Sequence, residues 1–202
     1  MNYEINDIFY SIQGEGLYTG EACIFIRLSG CNKNCIFCDT NHEPILYRFT
    51  EEQIYRKIRS YLSNHIIITG GEPLVQDVAP LVYLLRKNGY IVHLETNGTI
   101  LIPRSLFHWI AMCPKDENFE PSVLDKADEI KILAGLPSWK ELAQSIKERV
   151  PNHKSILIMP LTGNYEHERI PMQENVNDAI QFCLDNPRFK LCPQVHKLMN
   201  FK

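Results

Sequence analysis

An open α/β fold on a mostly parallel sheet is predicted by three observations. Short β-branched runs alternate with stretches of helical spacing along the chain, which is the pattern of consecutive βαβ units. The chain has 202 residues, close to the roughly 200-residue floor of a closed eight-unit barrel, so six or so units fit better than eight. Almost every expected strand is followed by a chemically marked loop, and parallel α/β folds build their sites where the carboxyl ends of strands converge. The expectation is a partial, open TIM-like β/α barrel with about six parallel strands, in a single domain over residues 1–202.

The strands are expected over residues 23–28, 65–68, 90–94, 129–133 and 155–158. Each is a compact apolar run of strand length between polar or turn residues. A helix begins after Thr50, where Thr50 and Gln53 have capping-box spacing, and runs to about Tyr61. Helices are also expected over 81–87, closed by Asn88-Gly89, and over 139–149. The segments 104–121 and 162–172 carry no regular pattern. The marked loops are 31–38, Gly70-Gly71-Glu72-Pro73, Glu95-Thr96-Asn97-Gly98, Cys113-Pro114-Lys115 (after 109–112), Met159-Pro160 and Pro193-Gln194.

Composition narrows the function classes. A formal net charge of −3 argues against direct contact with nucleic acid, because phosphate-reading surfaces carry a basic excess. No apolar run approaches the ~20 residues that span a bilayer, so no membrane partner is expected. The first residues, Met1-Asn2-Tyr3-Glu4, have no basic segment followed by an apolar one, so no signal peptide is expected. The chain has seven cysteines. An odd, clustered count is unlike a disulfide framework, and a reducing, cytoplasmic location follows.

Cys31, Cys35 and Cys38 are spaced C-x3-C-x2-C on a loop opened by Gly30. Three thiolates so placed select a soft centre. A [4Fe–4S] cluster would keep one iron open for a small molecule, whereas clusters that only carry electrons usually have four protein thiolates. The alternative is a structural zinc site with His42 as fourth ligand. Cys23, Cys113, Cys183 and Cys192 stand in apolar contexts and read as small buried hydrophobes.

The cysteine spacing, a following strand and Gly70-Gly71-Glu72-Pro73 together resemble the radical S-adenosylmethionine superfamily. With that context, Ser11-Ile12-Gln13-Gly14-Glu15-Gly16 resembles the S-x-Q-G-E-G segment of the 7-carboxy-7-deazaguanine synthase family. Cys38-Asp39-Thr40, Glu95-Thr96-Asn97-Gly98-Thr99 and Pro193-Gln194-x-His196 match that family's C-D-T/S, E-T-N-G-T and P-Q-x-H. The resemblance runs from Tyr10 to the C-terminus.

What the resemblance implies is a lyase of radical SAM type in queuosine or other 7-deazapurine biosynthesis. It would contract the ring of 6-carboxy-5,6,7,8-tetrahydropterin to 7-carboxy-7-deazaguanine with loss of ammonia. Cys31, Cys35 and Cys38 would hold the cluster, and Thr40 would bind Mg²⁺. Ile12, Gln13, Gly14, Arg27, Thr69, His196 and the terminal carboxylate of Lys202 would contact the pterin, with the tail from about 190 to 202 folding over the active site. Phe37, Asp39, Gly71, Glu72, Asn97, Gly98, Cys113, Lys115 and Met159 would serve S-adenosylmethionine. Cys113 stands where the family has Ser, and Met159 where it has Gln.

Arg27 also has a reading of its own. A charge in an apolar strand needs a partner, either a buried acid or a substrate carboxylate. A flavodoxin- or ferredoxin-type electron donor and a homodimer are further implications of the family. Two other readings compete: a glycyl-radical activating enzyme, which shares the cysteine spacing, and a zinc-stabilised binding module.

Overall fold

The computed structural model describes residues 1–38, 40–42, 44–153, 155–161 and 173–202. The chain divides into two compact units. The first comprises Met1–Ile12, Glu21–Thr96 and Ile102–Ile110, and the second Gln13–Gly20, Asn97–Leu101 and Ala111–Lys202.

The first unit begins with a strand that was not among those expected, β1 (Asn2–Ile12). It runs antiparallel to β2 (Ala22–Leu28) and to the short β3 (Tyr47–Thr50). Its burial alternates through Tyr3 and Ile5 and then resumes at Ile8, because the register shifts between Ile5 and Asp7. Such a bulge breaks the period-2 signal that marks a strand in sequence. Helix α1 (Glu51–Ile58) opens on the expected capping box: Gln53 N–H donates to Thr50 Oγ1 at 3.3 Å, and Thr50 N–H donates to Gln53 Oε1 at 2.8 Å. It stops short of Tyr61, whose N–H turns back to the carbonyl of Ile58 at 3.0 Å.

After α1 come β4 (His65–Gly70), α2 (Ala79–Lys87) and β5 (Ile91–Thr96). Helix α2 takes in one further half-turn, because Pro80 suits the first turn of a helix, and it ends at Asn88 with Gly89 at φ 85°. The strand order in this unit is β3-β1-β2-β4-β5, with β2, β4 and β5 in parallel register. Ile66, Ile67 and Ile68 of β4 are all buried, as expected of a parallel strand covered on both faces. Ile54, Ile58, Leu81 and Leu85 supply the helical side of that core.

The second unit holds the end of β6 (Trp109–Met112), then α3 (Pro121–Leu124), β7 (Glu129–Ala134), α4 (Trp139–Arg149) and β8 (Ile156–Pro160). It closes with α5 (Gln173–Asp185), the two-residue β9 (Lys190–Leu191) and α6 (Val195–Leu198). The order β6-β7-β8-β9 is parallel throughout. Every residue of β7 and β8 is buried. Trp139 packs edge-on against Phe182 at 4.8 Å, and Phe182 against Phe189 at 5.1 Å, which fastens α4, α5 and the approach to β9.

Among the described residues seven strands therefore stand in parallel ladders, three in the first unit and four in the second. That is one more than about six, the addition being β9, too short to leave a sequence signal. The outer strands β3 and β9 each pair on one side only, so neither ladder closes on itself. Of the two segments without pattern, 104–121 contains β6, and 162–172 lies outside the described residues.

Candidate active site

In the first unit the end of β2 and the end of β4 are pressed together. A Cβ on Gly70 would overlap the backbone of Leu28, and one on Gly71 would overlap the carbonyl of Gly30 and the Cβ of Cys31. Both glycines are thus required by close backbone approach. Gly30 opens the cysteine loop at φ 87°, its N–H donating to the His42 carbonyl and its own carbonyl accepting from Glu72 N–H, each at 3.0 Å. The Glu72 carboxylate is fully buried. It accepts from Thr96 Oγ1 at 2.9 Å on both oxygens and from Leu74 N–H at 3.1 Å. Glu72 thereby braces the glycine loop against the end of β5.

Within the cysteine loop, Lys33 N–H points at Cys31 Sγ at 3.4 Å, and Cys38 N–H closes a turn onto the Cys35 carbonyl at 3.0 Å. Cys38 Sγ donates to the Thr40 carbonyl at 3.2 Å. Cys31 and Cys35 are half-buried, as is Phe37, and Cys38 is exposed. Among the described residues no three His, Cys, Asp or Glu side chains form a ready-made metal cage. The donor set fits an iron–sulfur cluster none the less: three soft thiols on one exposed loop, beside a glycine that keeps the wall thin. Asp39 lies outside the described residues. His42, the fourth ligand of the zinc alternative, keeps a buried Nδ1 without a partner among the described residues.

Arg27 of β2 is the register partner of Thr69 on β4, so both project from the same face. The Arg27 guanidinium lies 5.5 Å from the ring centre of Phe9, which itself stacks on Phe25 at 4.8 Å. Arg27 Nε is buried and has no hydrogen-bond partner among the described residues. Ile12 ends β1 opposite Ala22 and is partly exposed.

In the second unit the turn from Gln13 to Gly20 is closed by Gly20 N–H on the Gln13 carbonyl at 2.8 Å. Gln13 is buried, and its Oε1 accepts from Glu15 N–H at 3.3 Å. A Cβ on Gly14 would overlap the His196 ring, and the Gly14 carbonyl accepts from Val195 N–H at 2.9 Å. Glu15 is the centre of a charge cluster. Its Oε2 meets Lys131 Nζ at 3.1 Å, and its Oε1 accepts from Gln194 Nε2 at 2.7 Å and stands 4.0 Å from His196 Nε2.

Burial works to raise the Glu15 carboxyl, but Lys131, His196 and the hydrogen bond from Gln194 prevail and bring it down to about 2. Glu129, which accepts from Leu17 N–H at 2.8 Å, is raised by burial despite Lys131. The sequence reading missed this cluster. Its signal was the one that singled out Arg27: Glu129 and Lys131, two apart in an apolar strand, must share one face of β7.

Asn97 is buried, and its Oδ1 accepts from Thr99 N–H at 2.9 Å and Thr99 Oγ1 at 2.6 Å. Gly98 has φ 82° and Met112 where a Cβ would stand. Lys115 Nζ lies 3.0 Å from Cys113 Sγ. Burial opposes the Lys115 charge, but Cys113 beside it leaves its ammonium raised. Met159 is buried on β8 next to Leu133. His196 lies in α6, with Phe201 N–H on its carbonyl at 3.0 Å, and Lys202 is exposed at the end.

The model of the Radical SAM superfamily matches residues 25–111, which include the cysteine loop and the glycine loop. The 7-carboxy-7-deazaguanine synthase of Bacteroides thetaiotaomicron is 33% identical over 202 residues, covering all of both chains. The chain belongs to the 7-carboxy-7-deazaguanine synthase family. The synthase of Buchnera aphidicola is 32% identical, again over all of both chains. Among solved structures, QueE from Escherichia coli superposes with a TM-score of 0.79 at 27% identity, covering 97% of this chain and 95% of that one. The likeness to this synthase structure bears out the open β/α barrel of radical SAM type. Family membership also decides between the sequence readings, for the synthase and against the activating enzyme and the zinc module.

Proposed function

We propose that this chain converts 6-carboxy-5,6,7,8-tetrahydropterin to 7-carboxy-7-deazaguanine and ammonia, in 7-deazapurine biosynthesis. The observation that carries the reading is end-to-end similarity to synthases of that name. When bound, the [4Fe–4S] cluster and S-adenosylmethionine supply the radical chemistry that rearranges the pterin. Everything else falls to the chain's own residues.

Cys31, Cys35 and Cys38 hold the cluster. Gly71 lets backbone approach the methionine end of S-adenosylmethionine, and Glu72 keeps that backbone in place through Thr96. Phe37, Asp39, Asn97, Gly98, Cys113, Lys115 and Met159 line the rest of that ligand's site. Arg27 binds the pterin carboxylate; its buried Nε, without a hydrogen-bond partner among the described residues, and its guanidinium held over the Phe9 ring support this role. Ile12, Gln13, Gly14 and Thr69 contact the ring. His196 and the carboxylate of Lys202 close the site, with the tail from about 190 to 202 excluding water.

Thr40 offers a hard hydroxyl oxygen to Mg²⁺. The reading extends to a single catalytic domain working as a homodimer in the cytoplasm, reduced by a flavodoxin- or ferredoxin-type donor. Among the described residues no helix is long and apolar enough to cross a membrane.

The test is an anaerobic reaction of reconstituted protein with S-adenosylmethionine, a strong reductant, Mg²⁺ and the pterin, followed by mass spectrometry. Pterin-dependent appearance of the deazapurine acid is expected. Formation of 5′-deoxyadenosine with untouched pterin would overturn the substrate.

A further inference from the structure

The second unit buries more charge than the proposed contacts to pterin and S-adenosylmethionine use. Glu15 and Lys131 are both largely withdrawn from water, and a buried ion pair is a weak source of stability. Such a pair needs another reason, and its neighbours supply one. Lys131 rises from β7, a strand buried along its whole length, so its position is set by the sheet. It holds one oxygen of Glu15 at 3.1 Å. The other oxygen accepts from Gln194 at 2.7 Å and faces His196 at 4.0 Å. Gln194 Oε1 is met in turn by Lys197 Nζ at 3.0 Å. On the far side of the same turn Glu129, also from β7, holds Leu17 N–H at 2.8 Å. The Gly14 carbonyl takes Val195 N–H, and Gly14 leaves no room for a side chain beside the His196 ring.

We propose that Glu15 is a positioning residue: anchored on β7 by Lys131, it latches the 13–16 turn to the 193–199 segment and so sets where the His196 imidazole stands against the pterin. The inference rests on the synthase reading for the pterin, but the latch itself is a property of the chain. It links two stretches, 13–16 and 193–196, that are far apart in sequence and both assigned to the substrate.

Two measurements test it on Glu15→Gln and Gln194→Leu. In the cofactor-free protein, hydrogen exchange at Val195, Leu198 and Met199 should accelerate roughly tenfold or more, with the amides of β7 and β8 unchanged. In the reconstituted enzyme, KM for the pterin should rise roughly tenfold while KM for S-adenosylmethionine holds within about twofold. Gln194→Leu leaves the ion pair whole, so it carries the test if Glu15→Gln does not fold. Faster tail exchange in a preparation that makes no deazapurine supports the latch and removes only the functional reading. Wild-type exchange at Val195 in both variants, or equal rises in both KM values, overturns the proposal.

Discussion

Arg27 was singled out in the sequence as a charge among apolar neighbours, and in the fold its Nε is buried and unpartnered among the described residues. If Arg27 binds the pterin carboxylate as proposed, replacing it with Gln removes a charge-assisted hydrogen bond worth about 2–3 kcal/mol. KM for the pterin should rise about 30- to 150-fold in steady-state kinetics, with KM for S-adenosylmethionine little changed. Gly71→Ala puts a methyl group into the Gly30 carbonyl, and backbone cannot yield there as a flexible side chain would. Overpacking of that kind costs about 1–3 kcal/mol. Calorimetry on the anaerobically reconstituted protein should find S-adenosylmethionine binding weakened by about tenfold or more. Lys131 shows what residue-level reading passes over. The argument made for Arg27 applies to it equally, but its partner Glu15 is 116 positions away, and nothing in the sequence says that the two meet.

The helices are legible in the sequence because their signals are local. The capping box of α1, the bounds of α4 and the Asn88-Gly89 stop of α2 each depend on residues within one or two turns. The cap is also testable: Thr50→Ala should lower stability by about 1 kcal/mol in urea denaturation. Strands are legible where an apolar run is continuous, as in β2, β4, β7 and β8. They leave no signal where the pattern is broken or short. The bulge in β1 shifts its phase, and β9 has two residues, fewer than any periodicity can mark. These two strands exist because neighbouring strands offer hydrogen bonds to them, which is a tertiary cause.

Across the whole molecule the buried ionisable groups set how stability follows pH. His93 is buried in the first unit, and burial first, then the nearby His65 and His108, lower its pKa from 6.5 to about 4. A lowered base favours the fold above its unfolded value, so this contribution is full above about 6.5 and is lost as pH falls through about 4. Glu15, lowered to about 2, extends the loss: its contribution is present above 4.5 and disappears as pH falls through about 2. Glu129, raised, works in the opposite sense and favours the fold only below its own raised value. The unfolding free energy from urea titrations should therefore decline from pH 6.5 to 4, by roughly 2–3 kcal/mol from His93, and His93→Gln should flatten that stretch. The alternation of strands and helices, the helix caps, the cysteine and glycine loops and the family they belong to are legible in the order of amino acids, because each is written in neighbouring residues or a fixed spacing. That Glu72 braces the glycine loop through Thr96, that Lys131 meets Glu15, and that Gly14 lies against His196 is visible only in the folded chain. Those contacts join residues 24 to 182 positions apart, and their energy comes from burial that exists only once the chain has folded.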